Sequence, residues 1–140
     1  MGGVYMDKSQ DKVKTLVKRA ETNIKKLKRD GGGVIGITTS QLRKFLSRVV
    51  VLKQSVDKET RGKKDVLLSD ELVLEIQRLK IMLLYQAAKG TKSHVKDFIR
   101  DTEIVELVDW IEDKPNHFDI FCKYVEALVA YHRYYGGKDK

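Results

Sequence analysis

The sequence has little cysteine and proline and lacks any long apolar run. Its 140 residues include one cysteine and one proline. A single cysteine cannot form a disulfide within the chain, which favours a reducing compartment. No apolar stretch approaches the roughly 18 residues of a membrane span, and the N-terminus lacks the apolar segment of a secretory signal. These absences argue against an exported or membrane-embedded protein, and we expect a cytoplasmic one.

Motifs for catalysis or metal binding are also missing. His94, His117 and His132 are far apart in the sequence and do not have the spacing of metal ligands. Glycines 31–33 are not followed by the Gly-Lys-Ser/Thr of a phosphate-binding loop, and no strand precedes them. The arginine placed four to six residues before a histidine in some helical ribonucleases is absent. We therefore expect no enzyme, metal ion or cofactor, with a metal-dependent helical ribonuclease as the enzymatic alternative.

Two features allow either a structural or a chemical interpretation. Carboxylates recur from Asp97 to Asp113 and could hold a metal ion, but no other ligand type converges with them. A solvated helix face, or one that repels nucleic acid, is the simpler interpretation. Cys122 lies among Phe121 and Val125 in the sequence, which favours a small buried hydrophobe over a reactive thiol.

Positive charge is concentrated in the first half of the chain. The sequence contains 28 Lys and Arg against 20 Asp and Glu, for a net charge of +8. Residues 1–64 hold 17 basic and 6 acidic residues, whereas residues 65–140 hold 11 and 14. This asymmetry favours a polyanion on one face and a different partner on another. A solvated lysine-rich surface without a ligand is the alternative.

Apolar residues recur at helical spacing, and no segment alternates with the period of a strand. A basic helix is predicted over 8–30, with an apolar stripe between Val13 and Leu27 and a stop at glycines 31–33. Thr38 and Gln41 form a capping box that starts a second helix. The charged stretch 57–69 shows no periodicity before Val66, so it is predicted to be an exposed loop.

The third predicted helix begins at Ser69 or Asp70 and ends at Gly90. It carries two apolar faces, which is typical of a helix at the centre of a bundle. The first consists of Leu72, Ile76, Leu79 and Leu83, and the second of Leu74, Ile81, Tyr85 and Ala88.

The C-terminal part predicts two or three further helices. A helical pattern starts at Val95 and is interrupted near Asp101 and Thr102, where it can divide into two short helices. Pro115 precedes the last helix, which Asn116 can cap. The chain is therefore predicted to be all-α, a single bundle of five to six helices. Residues 1–140 form one domain, with an N-terminal basic helix at 8–30 and a core bundle at 36–137.

The tyrosines of the last helix leave two interpretations open. Tyr124, Tyr131 and Tyr135 lie on a second face, at the edge of its apolar stripe. They can stack on bases or meet a partner subunit, including a second copy in a homodimer. Tyrosines at this spacing are more often part of the packing.

Basic residues on the second and third helices are the candidates for nucleic-acid binding. The start of a helix offers free N–H groups and a positive dipole end to phosphate, and arginine can bind phosphate with two hydrogen bonds. Such contacts read the backbone, so binding should tolerate any sequence and weaken with salt. The predicted RNA-binding residues are Arg43, Lys44, Arg48, Lys53, Arg78, Lys80 and Lys89.

Four segments follow one another along the chain: Ile37–Arg43; Glu75–Lys80 with Leu83–Ala87; Val95–Ile99; and Phe121–His132 followed by Tyr135–Gly137. Together they cover most of residues 36–137. In this order they resemble the motifs of one known family, the small subunit of the type III-A CRISPR (Csm) effector complex.

The resemblance implies a bundle of about five helices that lines up in several copies beside a backbone of other Csm subunits. It implies contact with the crRNA–target RNA duplex, while other subunits cut RNA and make second messengers. Arg43 and Lys80 match basic positions of the family motifs; the other five candidates rest on charge alone.

The charge pattern and the resemblance together predict a non-catalytic RNA-binding subunit, and the resemblance implies a role in antiviral and anti-plasmid defence. The hypothesis requires the positive side chains of the N-terminal half to gather on one exterior surface. A purely structural helical protein that docks acidic protein partners is the alternative.

Overall fold

The computed structural model describes the backbone of residues 9–89 and 94–137, and the side chains of these residues from Thr15 onward. The described residues form six α-helices and no strand. They are α1 Ser9–Asp30, α2 Thr39–Thr60, α3 Asp70–Ala88, α4 His94–Thr102, α5 Ile104–Ile111 and α6 Pro115–Tyr134. The prediction of an all-α bundle with five to six helices is confirmed.

Helices α2 and α3 start where the sequence predicts. The Thr38 hydroxyl accepts the backbone N–H of Gln41 at 3.1 Å, and the Gln41 side chain accepts that of Thr38 at 2.9 Å. Ser69 caps α3 by accepting the N–H of Leu72 at 3.3 Å. Each bond satisfies an N–H that has no partner within its helix, which fixes the first residue of the helix.

The predicted loop at 57–69 is wrong in its first four residues, because α2 continues to Thr60. Val56 is buried against the core, and Asp57 forms an ion pair with Lys53 one turn earlier. The carboxylate of Glu59 accepts the backbone N–H of Ser69 at 2.9 Å. The charged residues therefore extend the helix and connect its end to the start of α3.

The break predicted near residues 101 and 102 is confirmed, since α4 ends at Thr102 and α5 begins at Ile104. Glu103 between them adopts a left-handed conformation with φ of 56°.

The predicted cap at Asn116 is wrong. Lys114 is the N-cap of α6 and Pro115 is the first helical residue, where proline's missing N–H carries no penalty.

Helix α6 is the central element of the bundle. It packs against α1 on one side and α2 on another, and it also contacts α5. Phe118, Phe121, Tyr124 and Leu128 of α6 are almost completely buried. α1 also packs on α4, and α3 packs between α2 and the α4–α5 pair.

The prediction that α3 is apolar on two inward sides is wrong. One face, which includes Ile76 and Leu79, is buried as predicted. The other face, with Leu74, Ile81 and Tyr85, is exposed. α3 lies at the side of the bundle because α6 occupies the centre, so only one face of α3 reaches the core.

Within residues 9–89 and 94–137, no helix has both the length and the apolar character needed to cross a membrane.

Candidate nucleic-acid interface

Six of the seven candidate residues lie on α2 and α3, which run antiparallel to each other, and Lys89 is the C-cap residue of α3. Residues from the start of α2 and the end of α3 line one groove, including Lys44, Phe45 and Gln86. Residues from the end of α2 and the start of α3, such as Ser55 and Leu72, line another. The two helices therefore form a continuous seam on the surface of the bundle.

The part of this seam next to the start of α2 has an apolar floor and a polar, cationic rim. Phe45 and Leu83 form part of the floor, while Lys44 and Arg48 lie along the α2 side. Arg48 also lines the middle of the seam, opposite Arg78 of α3. An extended anionic strand would meet positive side chains along the first three turns of α2.

Arg43, Lys44 and Arg48 form the cationic surface of α2, a name used for these three residues below. All three are exposed, and in the described part of the chain none of them makes an ion pair. The first turn of α2 contains no acidic residue, whereas that of α3 contains Asp70 and Glu71. The helix dipole and the side chains at this end of α2 therefore favour the same anionic ligand.

Lys53 and Lys80 point their ammonium groups at carboxylates. Lys53 lies 3.1 Å from Asp57 and 3.4 Å from Asp119. Partial burial lowers the pKa of Lys53, but the bonds and charges of Asp57 and Asp119 outweigh it and leave that pKa above its usual value. The ammonium of Lys80 lies 2.9 Å from Asp109 of α5.

Arg78 and Lys89 are exposed but also have partners. The Arg78 guanidinium lies 3.3 Å from Glu75, one turn earlier on α3. The Lys89 ammonium lies 5.1 Å above the centre of the Tyr85 ring, in the geometry of a cation–π contact. Surface pairs of this kind contribute only about 0–1 kcal/mol each, so a phosphate can compete for these cations.

The expectation that the positive residues of the N-terminal half share one surface is wrong. Arg19 of α1 pairs with Glu103 at 3.2 Å, and Lys26 of α1 lies 3.9 Å from Asp101. α6 separates α1 from α2 in the bundle. Carboxylates of the C-terminal half thus neutralise part of α1. In the described part of the chain, the candidates with neither an ion pair nor a ring contact are the three residues of the cationic surface of α2.

The acid-rich run is not simply a solvated helix face. The side chain of Asp101 is completely buried, 3.0 Å from the Arg100 guanidinium. Glu103 and Asp109 pair with cations on α1 and α3. In the described residues, no three His, Cys, Asp or Glu side chains are grouped so that they could hold a metal ion.

Two of the histidines and the cysteine have structural surroundings. His132 is buried and its Nε2 lies 2.7 Å from the carbonyl oxygen of Ile37. His117 stacks on Trp110 with 3.8 Å between ring centres. Cys122 is buried, and desolvation raises the pKa of its thiol to about 12. The interpretation of Cys122 as a buried hydrophobe is confirmed.

The tyrosines of α6 mostly serve packing. Tyr124 is buried, with its hydroxyl bonded to Asn23 and Thr102. Tyr131 and Tyr135 pack partly buried against the core, and the Tyr135 hydroxyl donates to Glu21. Sequence reasoning missed Tyr134, which is the most exposed large hydrophobic side chain of α6.

Sequence reasoning also missed the polar residues of the groove. Gln41, Ser47 and Gln86 line it together with Lys44 and Arg48. These residues come together on the rim of one groove only because α2 packs against α3. No spacing in the sequence signals that pairing.

Comparison with known proteins identifies one family. The model of the Csm2 type III-A family matches residues 10–138. The CRISPR system Cms protein Csm2 of Streptococcus thermophilus is 39% identical over 123 residues, which cover 88% of this chain and 93% of that protein. The proteins of the same name from Mycobacterium tuberculosis and Enterococcus italicus are each 34% identical. Their alignments cover 74% and 71% of this chain, and 79% and 69% of those proteins.

The four motifs, the all-helical bundle and these matches over most of the chain agree with one another. The chain belongs to the Csm2 family, the small subunit of the type III-A CRISPR complex.

Proposed function

We propose that this subunit binds the phosphate backbone of the crRNA–target RNA duplex through the cationic surface of α2 and takes no part in catalysis. The observation that carries the proposal is the group of three exposed cations without ion pairs, Arg43, Lys44 and Arg48, in the first three turns of a 22-residue helix. A phosphate bound by these side chains gains charge-assisted hydrogen bonds, and one that also reaches the first turn of α2 gains the positive end of the helix dipole.

The other four candidates contribute less to binding in this proposal. Lys53, Arg78 and Lys80 must exchange a carboxylate for a phosphate. Each therefore adds to the binding free energy only the difference between the two contacts. Lys89 lies at the end of α3 and can reach a strand that follows the groove past Gln86. We therefore rank the cationic surface of α2 first and these residues second.

The partners in this proposal are crRNA, target RNA, other Csm subunits and further copies of this chain, in the cytoplasm. One subunit offers few phosphate contacts, so its own affinity should be modest. Several copies on one RNA convert weak contacts into tight overall binding, because each bound copy raises the effective concentration of the next. A single domain over 1–140 suits such a repeated unit.

The proposal is tested by titrating the full-length protein with two RNA duplexes of unrelated sequence over a range of salt concentrations. Arg43→Ala and Arg48→Ala should weaken binding to both duplexes. Each lost phosphate contact should reduce the slope of log affinity against log salt by about 0.7–0.9. Lys58→Ala is the matched control, since Lys58 is an exposed cation at the other end of α2.

Three results would contradict the proposal. A defect confined to one RNA sequence would indicate base recognition in place of backbone recognition. Equal losses for Lys58→Ala and Arg48→Ala would mean that total charge, and not this surface, determines binding. The absence of any salt-dependent RNA binding, with retained binding to Csm proteins, would favour the alternative of a subunit that docks acidic protein surfaces.

A further inference from the structure

The C-terminal end of α6 carries three aromatic side chains, Tyr131, Tyr134 and Tyr135. Tyr134 is 79% exposed, more than any other large hydrophobic residue in the described part of the chain. The centre of the Tyr135 ring lies 4.9 Å from that of Tyr134 and 6.3 Å from that of Tyr131. The Tyr134 and Tyr135 rings are perpendicular, at 89°. This contact covers at most one face of the Tyr134 ring, so the other face is open to solvent.

Tyr135 holds the exposed ring in place from below. Its hydroxyl donates a hydrogen bond to the carboxylate of Glu21 on α1, and this bond raises the pKa of Tyr135 to about 12. Tyr135 also packs partly buried against the core. The Glu21 carboxylate lies 3.9 Å from the ammonium of Lys25, one turn further along α1. A ring supported in this way loses little conformational entropy when a ligand stacks on it.

Positive charge from α1 lies beside these rings. The Lys25 ammonium is 5.5 Å from the centre of the Tyr135 ring. Lys28 lies at the end of α6, since a Cβ atom placed on Gly136 would be 3.9 Å from the Lys28 ammonium nitrogen. Lys28 makes no ion pair within the described residues. We call Tyr134, Lys25 and Lys28 the tyrosine surface of α6.

Helix dipoles explain only part of this surface. Lys28 and Arg29 lie in the last turn of α1, and Arg133 lies in that of α6, where cations stabilise the negative end of a helix. Lys25 lies before that turn, and no dipole requires an exposed ring. The core of a protein–protein interface is depleted in charged residues, so a ring beside lysines fits such an interface poorly. It fits a ligand that carries both negative charge and flat aromatic groups.

We propose that the tyrosine surface of α6 binds an unpaired RNA strand, with one base stacked on Tyr134 and a neighbouring phosphate held by Lys28 and Lys25. Every base has a flat face, so this contact tolerates any sequence. The site is separate from the cationic surface of α2, because α6 packs between α1 and α2. It also goes beyond the proposed function, since a duplex stacks its bases on one another and offers only its terminal pairs to Tyr134.

Photo-cross-linking of the full-length protein locates the stacked base. The probe is an oligouridine of about ten nucleotides that contains 5-iodouridine, a base that cross-links to an aromatic ring on which it stacks. Mass spectrometry should find the cross-link at Tyr134. Tyr85 is the internal control, because it is 63% exposed but already has Lys89 over its ring at 5.1 Å. A cross-link at Tyr85 and none at Tyr134 overturns the proposal.

Affinities for the oligouridine are measured in a variant with Arg43→Ala and Arg48→Ala, in which the cationic surface of α2 contributes little. In this background, Tyr134→Ala should weaken binding about 5- to 150-fold, the loss expected for one stacked base. Tyr134→Phe keeps the ring and Tyr85→Ala removes a different one, so both should bind as the background does. Equal losses for Tyr134→Ala and Tyr85→Ala overturn the proposal, and so does a background without oligouridine binding.

A strand without bases separates stacking from charge. Lys28→Ala should weaken binding of the oligouridine and of an abasic strand of the same length, and should reduce the slope of log affinity against log salt by about 0.7 for each. Tyr134→Ala should weaken only the oligouridine. Equal losses with both strands would mean that the ring does not stack on a base, which overturns the proposal.

A blunt RNA duplex separates this proposal from the proposed function. In the otherwise wild-type protein, Tyr134→Ala should leave duplex binding unchanged, whereas Arg43→Ala should weaken it. An undiminished duplex affinity of Arg43→Ala counts against the cationic surface of α2 alone. A loss of duplex binding in Tyr134→Ala as large as its loss of oligouridine binding overturns the assignment of Tyr134 to unpaired RNA.

Discussion

The hydroxyl of Tyr124 accepts a hydrogen bond from the side-chain amide of Asn23 at 2.8 Å, although 101 residues separate them. The same hydroxyl donates to the carbonyl oxygen of Thr102 at 2.7 Å. One buried phenol therefore connects α1, α6 and the break between α4 and α5. This contact also explains why Asn23, a polar residue in the apolar stripe of α1, is tolerated in the core.

Tyr124→Phe should lower the free energy of unfolding by about 1–3 kcal/mol, because the buried Asn23 amide and Thr102 carbonyl each lose a partner. Urea denaturation followed by circular dichroism measures the change. Tyr134→Phe is the control, since Tyr134 is exposed and its substitution should change stability by less than about 0.5 kcal/mol. Equal stability of the two variants would show that the Tyr124 hydroxyl is not structurally important.

His132 should make the stability of the protein depend on pH. Burial lowers the pKa of His132, and Arg133 adds to the effect, while the bond to the Ile37 carbonyl opposes it. The unfolded chain therefore binds a proton at this residue more readily than the folded chain. The contribution of the neutral ring is complete above the unfolded pKa of about 6.5 and declines as the pH falls below it.

Denaturation of the wild type at several pH values between about 7.5 and 5.5 tests this dependence. The free energy of unfolding should fall with pH in that window. His132→Gln keeps a side-chain donor near Ile37 but has no titrating group, so its slope should be smaller. An identical slope in the two proteins would assign the pH dependence to other groups.

Cys122 should be unreactive in the folded protein. A thiol pKa of about 12 leaves roughly a thousandfold less thiolate than the ordinary value of about 9, and burial also blocks access. A disulfide reagent at pH 8 should modify Cys122 only after the protein is unfolded in denaturant, as measured by absorbance or mass spectrometry. Rapid modification of the native protein would contradict the buried position of this side chain.

Asp109 should restrain the contribution of Lys80 to RNA binding, since the two groups lie 2.9 Å apart. Asp109→Asn releases the lysine and removes a repulsive charge, so RNA affinity should rise about two- to threefold at low salt. In a Lys80→Ala background, the same change removes only the repulsion between Asp109 and the RNA, so it should raise RNA affinity by less. Equal effects in both backgrounds would mean that Lys80 does not contact RNA.

The local signals in the sequence were sufficient for much of the fold. The capping residues Thr38 and Ser69 form hydrogen bonds within three residues of themselves, so they act in the same way in any tertiary setting. The buried face of α3 and the break between α4 and α5 follow from helical periodicity and its interruption. The prediction of a cap at Asn116 was wrong because Pro115 is compatible with either helix start. Proline can stand just before an N-cap at Asn116, or at the first helical position after an N-cap at Lys114.

The site was only partly predictable, because the ion pairs join residues that are distant in the sequence. Lys80 and Asp109 are 29 positions apart, and Arg19 and Glu103 are 84 apart. A count of charges cannot tell which cations are paired in this way. The sequence therefore proposed seven RNA-binding residues. In the described part of the chain, the tertiary structure pairs three of these cations with carboxylates and places Lys89 over the Tyr85 ring, which leaves three without either contact.

The sequence by itself determined the all-α class, the starts of α2 and α3, and the family, because periodicity, capping and motif order are properties of neighbouring residues. Only the tertiary structure decided that α6 is central, that α3 keeps an apolar face in solvent, and that α1 and α2 do not share one cationic surface. The physical reason is that burial and charge pairing depend on which helices pack together. Both α3 and α6 are apolar enough to occupy the centre of the bundle, and the packing places α6 there.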